Sequence, residues 1–481
     1  MRYGSESNEC TYAKNETVES PVDPMKEVNS IFDNLKVNPN HRKIFFAAGL
    51  GIFLDGYDLS IIAVMLLLLI PEWHLSATSI GQIGAAALAG AALGGIFGGL
   101  VADCYGRKVL YLVNVSIFLF ASLLAGLSWD VASFVFFRFL LGIAIGMDYP
   151  LSSSYIVEFM PRLYRGSVLA WGFSLWMIGV IASAFVGFLL IRTGPDAWRL
   201  MAISGAIPAL GIIWVRRTLP ETPRWSITNG RFNDAVAVLN KFDTDSNSLG
   251  FKSLPIGSRN ANPENSTRFP FFSRRWRRRT LLIVIPWMLA DVSTFGFTVF
   301  SPFLLNSFGI RSYESVLVWD ICFNLMGLAG IVFLALTTTH LGRIFPQKIG
   351  FALGAFFLGL FGLEAILGDP PSWILVFTLL GYMFINNFGP GTTTWFLPAE
   401  LFPTELRASA HGLATACSRV AAAISVFFLP VVRQAIGIGW LMIVLASISL
   451  AGFWVTKEVG RGLEPGTRSL ESISATDNMV S

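Results

Sequence analysis

"FLDGYDLS", residues 53–60, sets two carboxylates, Asp55 and Asp58, inside a run that is otherwise hydrocarbon, with residues 44–54 on one side and 59–70 on the other. The run is long enough to cross the ~30 Å apolar core of a bilayer, which takes about 20 residues of helix. An acid at the centre of such a helix costs roughly 2.5–3.5 kcal/mol on insertion scales. Acids in that position face a bundle interior or a water-filled cavity, and here the two are three residues apart and share one helix face. The stretch therefore reads as the working face of a membrane helix inside a bundle.

Composition agrees. The chain has 481 residues, of which 53% are hydrophobic and 14% charged, against about 25% charged in a soluble domain. Its 41 Phe and 45 Gly suit lipid contact and close helix packing. Cys10, Cys104, Cys322 and Cys417 are scattered, with no metal or disulfide spacing. Residues 1–42 are polar and mixed in charge, without the apolar core of a signal peptide. The net charge of +4 reads as membrane topology rather than a nucleic-acid partner. No Walker-type glycine loop appears, so ATP drive is not expected. No nucleophile–base set or metal cluster appears either, so neither an enzyme nor a cofactor is expected.

Apolar runs of spanning length recur twelve times, at 43–70, 77–102, 109–128, 131–159, 166–191, 198–215, 280–305, 315–338, 346–367, 372–397, 408–431 and 438–456. All are expected to be helices, which satisfy their own backbone in lipid. The organisation follows: a disordered cytoplasmic tail (1–42), a six-helix bundle (43–215), a cytoplasmic central loop (216–279), a second six-helix bundle (280–456) and a cytoplasmic tail (457–481). "RRWRRR" at 274–279 could bind anionic lipid or nucleic acid. As a stop signal it pins the start of the seventh span, with attraction to the membrane surface in addition.

Basic residues set the orientation. Arg107/Lys108, Arg162/Arg165, Arg216/Arg217, the 274–279 cluster, Arg343/Lys348, Arg407 and Lys457/Arg461 fall at one side, whereas "PEWHLS", "RTGPDAW" and "GDPPS" carry little positive charge. The positive-inside rule then places both termini in the cytoplasm. The sequons "NET" (15–17) and "NST" (265–267) would lie on the side where they go unused. On this reading Arg138 and Arg419 are the only basic residues well inside the helices.

An internal repeat is visible. "EFMPRLYR" (158–165) returns 242 positions later as "ELFPTELR" (400–407), and "GR" at 106–107 returns 236 positions later at 342–343. The same 236-residue offset carries Asp55 onto Asp291. Two halves with matching landmarks imply a pseudo-twofold along the membrane normal and a central site between them.

These motifs resemble the major facilitator superfamily. "GLVADCYGRK" (99–108) is similar to its loop between helices 2 and 3, with Cys104 in place of an Arg, and "ALTTTHLGR" (335–343) is a reduced second copy. "RFLLGIAIG" (138–146) resembles the Arg-x-x-x-Gly-x-x-x-Gly of helix 4, and "PETPRW" (220–225) and "GRGLE" (460–464) resemble the sugar-porter markers after helices 6 and 12. Within the superfamily the pattern resembles the phosphate:proton symporters most. Asp55-Gly-Tyr-Asp58, "MDYPLS" (147–152), Trp287 with Asp291, and "NFGPGTTT" (387–394) match them. Met147, Phe295, Gly391, Trp176 and Arg419 depart, replacing Gly, Tyr, Asn, Gln and Lys. The resemblance implies a twelve-helix membrane fold of two pseudo-symmetric six-helix halves and secondary transport by alternating access. The solute implied is a small anion such as phosphate moved by proton symport. The departures leave an organic-acid or sugar porter as the alternative. A transport-dead sensor would bind solute without accumulating it. The partners are the solute, protons and lipid, with no nucleic acid. The expected setting is a monomer in the cell membrane.

The residues carry these roles as follows. Asp55 and Asp58 are candidates for proton coupling, against a permanent ion pair that only fixes packing. Arg138 needs a buried anion, for which Asp58 is the candidate, or else caps backbone carbonyls. Gly142 and Gly146 let a neighbouring helix approach. Asp148 could relay a proton and Tyr149 could donate to solute, or both only pack. By resemblance Asp291, with Trp287 one turn earlier, contacts solute or couples the proton. Arg419 could hold an oxyanion bidentately or pair with Asp291 when the site is empty, two compatible roles. Trp176, Phe295, Asn387 and the neighbouring Asn386 and Thr392–Thr394 complete the expected binding set, beside a Gly-Pro break in the tenth span. Asp103, Arg107, Glu158, Arg165, Glu400 and Arg407 form an expected ion-pair belt that gates the cytoplasmic end, or else anchor helix ends. Asp320 is a further membrane acid to which the sequence gives no role.

Overall fold

A computed structural model describes residues 37–161, 164–242, 270–307, 312–368 and 372–465. Each of the twelve expected spans is helical there. The first half comprises Pro39–Glu72, Ala77–Tyr105, Arg107–Gly126, Val131–Phe159, Arg165–Leu190 and, as the sixth span, Ala197–Ser204 continuing as Ala206–Arg216. The second comprises Arg277–Ser307, Tyr313–Leu341, Ile344–Leu367, Ser372–Phe388 with Pro390–Leu401, and Thr404–Val459. That last stretch holds the eleventh and twelfth spans, joined across a kink at Gly437, whose φ of 78° suits glycine. The tenth span breaks at Gly389-Pro390, as the sequence suggested.

Some boundaries differ from expectation. The first helix opens at Pro39, inside the segment assigned to a disordered tail. Asn38 caps it by accepting from the backbone N–H of Asn40 and His41, and Pro39 occupies the first helical turn, where its missing donor costs nothing. Residues 1–36, with Cys10 and the first sequon, lie outside the described residues, as do 243–269 with the second sequon, 466–481, and Arg162. The central loop contains two helices, Pro223–Thr228 and Phe232–Phe242. The second docks onto the start of the first span, where Asn38 Nδ2 donates to Phe242 O at 2.8 Å and Asn40 Nδ2 to Lys241 O at 2.6 Å.

The two halves meet along the second span against the eleventh, the fifth against the eighth, and the first against the seventh. Glycine permits the tight packing. A Cβ at Gly142 would stand 2.0 Å from Ala87 O, and one at Gly146 2.1 Å from Ala91 O, so the fourth span touches the backbone of the second as expected. Phe120, Ile207, Trp214 and Phe356 point outward, each more than half exposed. A soluble domain avoids such a continuous apolar girdle, whereas a bundle in lipid requires one.

Candidate functional site

Four buried constellations lie in the core of the bundle or at its basic end. In the first, Arg138 Nη1 donates to Asp58 Oδ2 at 2.5 Å and, more loosely, to the Asp58 carbonyl at 3.4 Å. Both side chains are buried. The candidate partner of Arg138 is found, and the alternative contact, to a backbone carbonyl, accompanies it at longer range.

In the second, Arg419 Nη1 of the eleventh span donates to Asp291 Oδ2 of the seventh at 2.6 Å. The Arg419 guanidinium lies over two rings, with its carbon 4.7 Å from the centroid of Tyr149 and 4.9 Å from that of Phe295. Tyr149 belongs to the first half and the other three residues to the second, so this cluster bridges the seam between them. Trp287 stands 6.4 Å from Tyr149, ring to ring. Trp176 stacks on Phe173 at 5.4 Å, and Phe173 meets Trp395 of the tenth span at 5.5 Å.

The third constellation corrects the sequence reading. Arg216 counts there as a loop charge, but it is fully buried. Its Nη1 donates to Asp148 Oδ1 at 2.7 Å and to Asn114 Oδ1 at 3.2 Å, and its guanidinium lies 4.1 Å from the Tyr111 ring centroid. Arg138 and Arg419 are thus joined by a third interior cation. The sixth span ends there, and the three-methylene stem of arginine lets its last side chain turn inward along the bundle. Asp148 also accepts from Asn114 Nδ2 at 2.9 Å and from Ser152 Oγ at 2.7 Å.

Asp55 behaves differently from its neighbour Asp58. It is 3% exposed, and no hydrogen bond reaches its carboxylate among the described residues. It lines a cavity of about 10 Å³ with Asn114 and Asp148, roughly the size of one water. Asp148, Arg216, Arg419 and Asp58 all lie within electrostatic reach of it.

The Asn and Thr groups of the tenth span are largely engaged within the protein. Asn387 Nδ2 donates to Met383 O, Asn386 Nδ2 to Thr294 Oγ1, and Thr392 Oγ1 to Asn387 O. Asn387 packs where the fifth and eighth spans meet: a Cβ at Gly327 would stand 2.9 Å from its Nδ2 and 2.8 Å from Met177 Cε. Asp320 accepts from Asn324 Nδ2 at 3.2 Å, a contact within its own helix.

The fourth constellation lies at the basic end of the bundle. Glu158 accepts from Arg107 Nη2 at 3.1 Å and from Arg407 Nη1 of the other half at 3.5 Å. Glu400 takes both Nε and Nη2 of Arg343 at 2.9 Å, a bidentate fork. Arg343 in turn covers Gly166 of the first half. Arg165 Nε donates to Met160 O at 3.1 Å. The Asp103 side chain lies outside the described residues. Sequence reasoning named Arg343 only as a basic-side and repeat residue and left it out of this belt, and it missed two acids. Glu221 accepts from the backbone N–H of Arg107 and Lys108, and Glu464 from those of Arg343 and Ile344. Each places a carboxylate on a helix N-terminus, where unpaired N–H groups and the helix dipole favour it. The signal was present, since both acids sit in the paired markers "PETPRW" and "GRGLE".

The family model described as "Sugar (and other) transporter" matches residues 43–463. The chain is 30% identical over 450 residues to the putative metabolite transport protein YaaU of Escherichia coli (strain K12), covering 93% of this chain and 97% of that protein. It is 28% identical over 536 residues to the probable inorganic phosphate transporter 1-9 of Arabidopsis thaliana, covering 94% and 97%. Among solved structures, the proton:xylose symporter XylE of the major facilitator superfamily, bound to 6-bromo-6-deoxy-D-glucose, superposes with a TM-score of 0.75. It is 23% identical, and the match covers 91% of this chain and 98% of that one. XylE from E. coli in an inward-open conformation superposes at 0.67 with 21% identity, over 91% and 99%.

Proposed function

The chain belongs to the sugar (and other) transporter family and has the major facilitator fold, and from that premise we propose that it accumulates a small anion, phosphate or a carboxylate, by proton symport. The observation that carries this reading is the Asp291–Arg419 pair laid against Tyr149 at the seam between the halves. An anion entering the membrane centre needs a cation. Among the described residues three arginines pair with acids in the core of the bundle, and of these Arg138 is held by Asp58 and Arg216 by Asp148. Arg419 is the one that itself lies against residues from both halves, Tyr149 and Phe295. A proton on Asp291 removes its charge and frees Arg419 for the anion, so proton and solute load together by charge balance. Asp58, facing Arg138, is a second carboxylate whose charge can change as the halves rock. The Glu158–Arg407 contact and the Arg343 fork hold the basic, cytoplasmic end shut, and both termini lie in the cytoplasm.

Uptake into proteoliposomes under an imposed inward proton gradient, with phosphate, small carboxylates and sugars as solutes, tests the reading. Gradient-dependent accumulation of an anion is expected. Accumulation of neutral sugars alone, or anion uptake indifferent to collapse of the gradient, overturns it. Binding without accumulation identifies a sensor instead.

A further inference from the structure

The seam between the halves is walled by aromatic rings that lead to one guanidinium. Phe173 and Trp176 stack nearly parallel, 8° apart. Phe173 passes the wall to Trp395, and Trp395 to Trp287 through the His411 imidazole, at 6.2 and 5.4 Å. Trp287 hands it to Tyr149, which lies under Arg419.

A second observation is independent of the rings. Among the described residues, the indole N–H of Trp176, the indole N–H of Trp395 and Nε–H of Arg419 are buried without an acceptor. Buried donors in folded proteins are nearly always paired, and an indole nitrogen can only donate. Three such donors along one seam point to acceptor atoms brought by a ligand. Imidazole does not fill the need, because His411 Nε2 is engaged with Trp395 O at 2.8 Å and Nδ1 with Thr415 Oγ1 at 3.2 Å.

We propose that the solute is a carboxylate carried on a planar unsaturated or aromatic ring, its oxygens facing Arg419 and the indole donors and its ring lying against the Trp and Phe faces. This rests on the anion reading above and narrows it. Phosphate offers acceptors but gains nothing from ring faces. A sugar's hydroxyls can accept from these donors, but they carry no charge to balance Arg419 and no unsaturated face for the rings. A ring carboxylate is acceptor-only at one end and stacks at the other, the offset geometry that aromatic side chains favour. The guanidinium over Tyr149 and Phe295 keeps its cation–π partners while it receives the carboxylate.

Calorimetry on the full-length transporter in nanodiscs decides the matter with four probes: benzoate, acetate, inorganic phosphate and benzamide. Benzoate is expected to bind at least tenfold more tightly than acetate, phosphate or neutral benzamide. Trp176→Gln, which keeps a donor and removes the ring, should lower benzoate affinity about tenfold and bring the benzoate-to-acetate ratio toward one. Trp176→Phe should retain most of that ratio. The wild-type ranking stands as a test even where a variant fails to fold. If acetate or phosphate binds as tightly as benzoate, the ring proposal fails and the anion reading survives. If benzamide matches benzoate, or no anion binds, both fail.

Discussion

Arg419 and Asp291 form a buried ion pair at 2.6 Å, and that pair lies against Tyr149, a residue of the opposite half. Arg419→Gln should weaken binding of the anionic solute by the worth of a charged hydrogen bond, about 1.5–3 kcal/mol, or at least tenfold. Because removing one partner of a buried pair also destabilises by about 3–5 kcal/mol, the neutral double variant Asp291→Asn/Arg419→Gln serves as the folding control. It should regain thermal stability without regaining binding. Normal transport by Arg419→Gln would show that the cation is not the clamp.

Asp58 is paired with Arg138, whereas Asp55 has no hydrogen-bond partner among the described residues and lines a small cavity with Asn114 and Asp148. Asp58→Asn should abolish proton-driven accumulation while downhill exchange continues, since exchange can cycle with the site permanently neutral. Counterflow and gradient-driven uptake, measured side by side, separate the two. Asp55→Asn ranks the pair: loss of accumulation there would make the unpartnered acid the proton carrier. Wild-type accumulation in both variants would remove the "DGYD" acids from coupling altogether.

Arg216 and Arg217 are adjacent in sequence and opposite in environment, the first buried against Asp148 and the second exposed. Arg216→Met should lower stability by about 3–5 kcal/mol, the cost of stranding a buried carboxylate, and so reduce the melting temperature in detergent. Arg217→Met should change it little, because isolated surface charges contribute at most ~0.5 kcal/mol. Equal effects would contradict the burial of Arg216.

The contrast between these two arginines marks how far the sequence could be read. Apolar run length found all twelve helices, since spanning length is set by the bilayer and not by tertiary context. The repeat linked Asp55 to Asp291, and the need of a buried arginine for an anion made Asp58 the candidate partner of Arg138. Charge counting assigned Arg216 to the surface because it sees where the Cα leaves the membrane, not where a flexible side chain turns. The Asn38-Pro39 helix start is a local capping signal that went unread beside a polar tail. Glu221 and Glu464 act through backbone N–H groups more than a hundred residues away, and no spacing rule connects such distant segments. The same holds for the aromatic wall, whose members come from five different spans.

Orientation is independently testable. On the proposed orientation, which puts both termini in the cytoplasm, Cys10 should react with impermeant thiol reagents in inside-out vesicles and not in intact cells. Labelling of intact cells at Cys10 would invert the arrangement and with it the sense of the gate.

That gate supplies the final prediction. Glu158 accepts from Arg107 of its own half and from Arg407 of the other, so a single carboxylate ties the halves together at the basic end. Glu158→Gln keeps the shape and removes the charge that both guanidinium groups share. It should therefore weaken the closed state relative to the open one while leaving the helices intact. A change of 1.4 kcal/mol is tenfold in population, and a buried charged contact is worth at least about that much. Spin labels placed by Tyr105→Cys and Leu341→Cys, at exposed, repeat-related positions in the two halves, would report the opening in a background with the four native cysteines replaced. The expected outcome is a longer-distance population at least tenfold larger in Glu158→Gln than in the parent. An unchanged distance distribution would mean that Glu158 merely anchors a helix end, and the closure would then rest on the Arg343–Glu400 fork and its cover over Gly166.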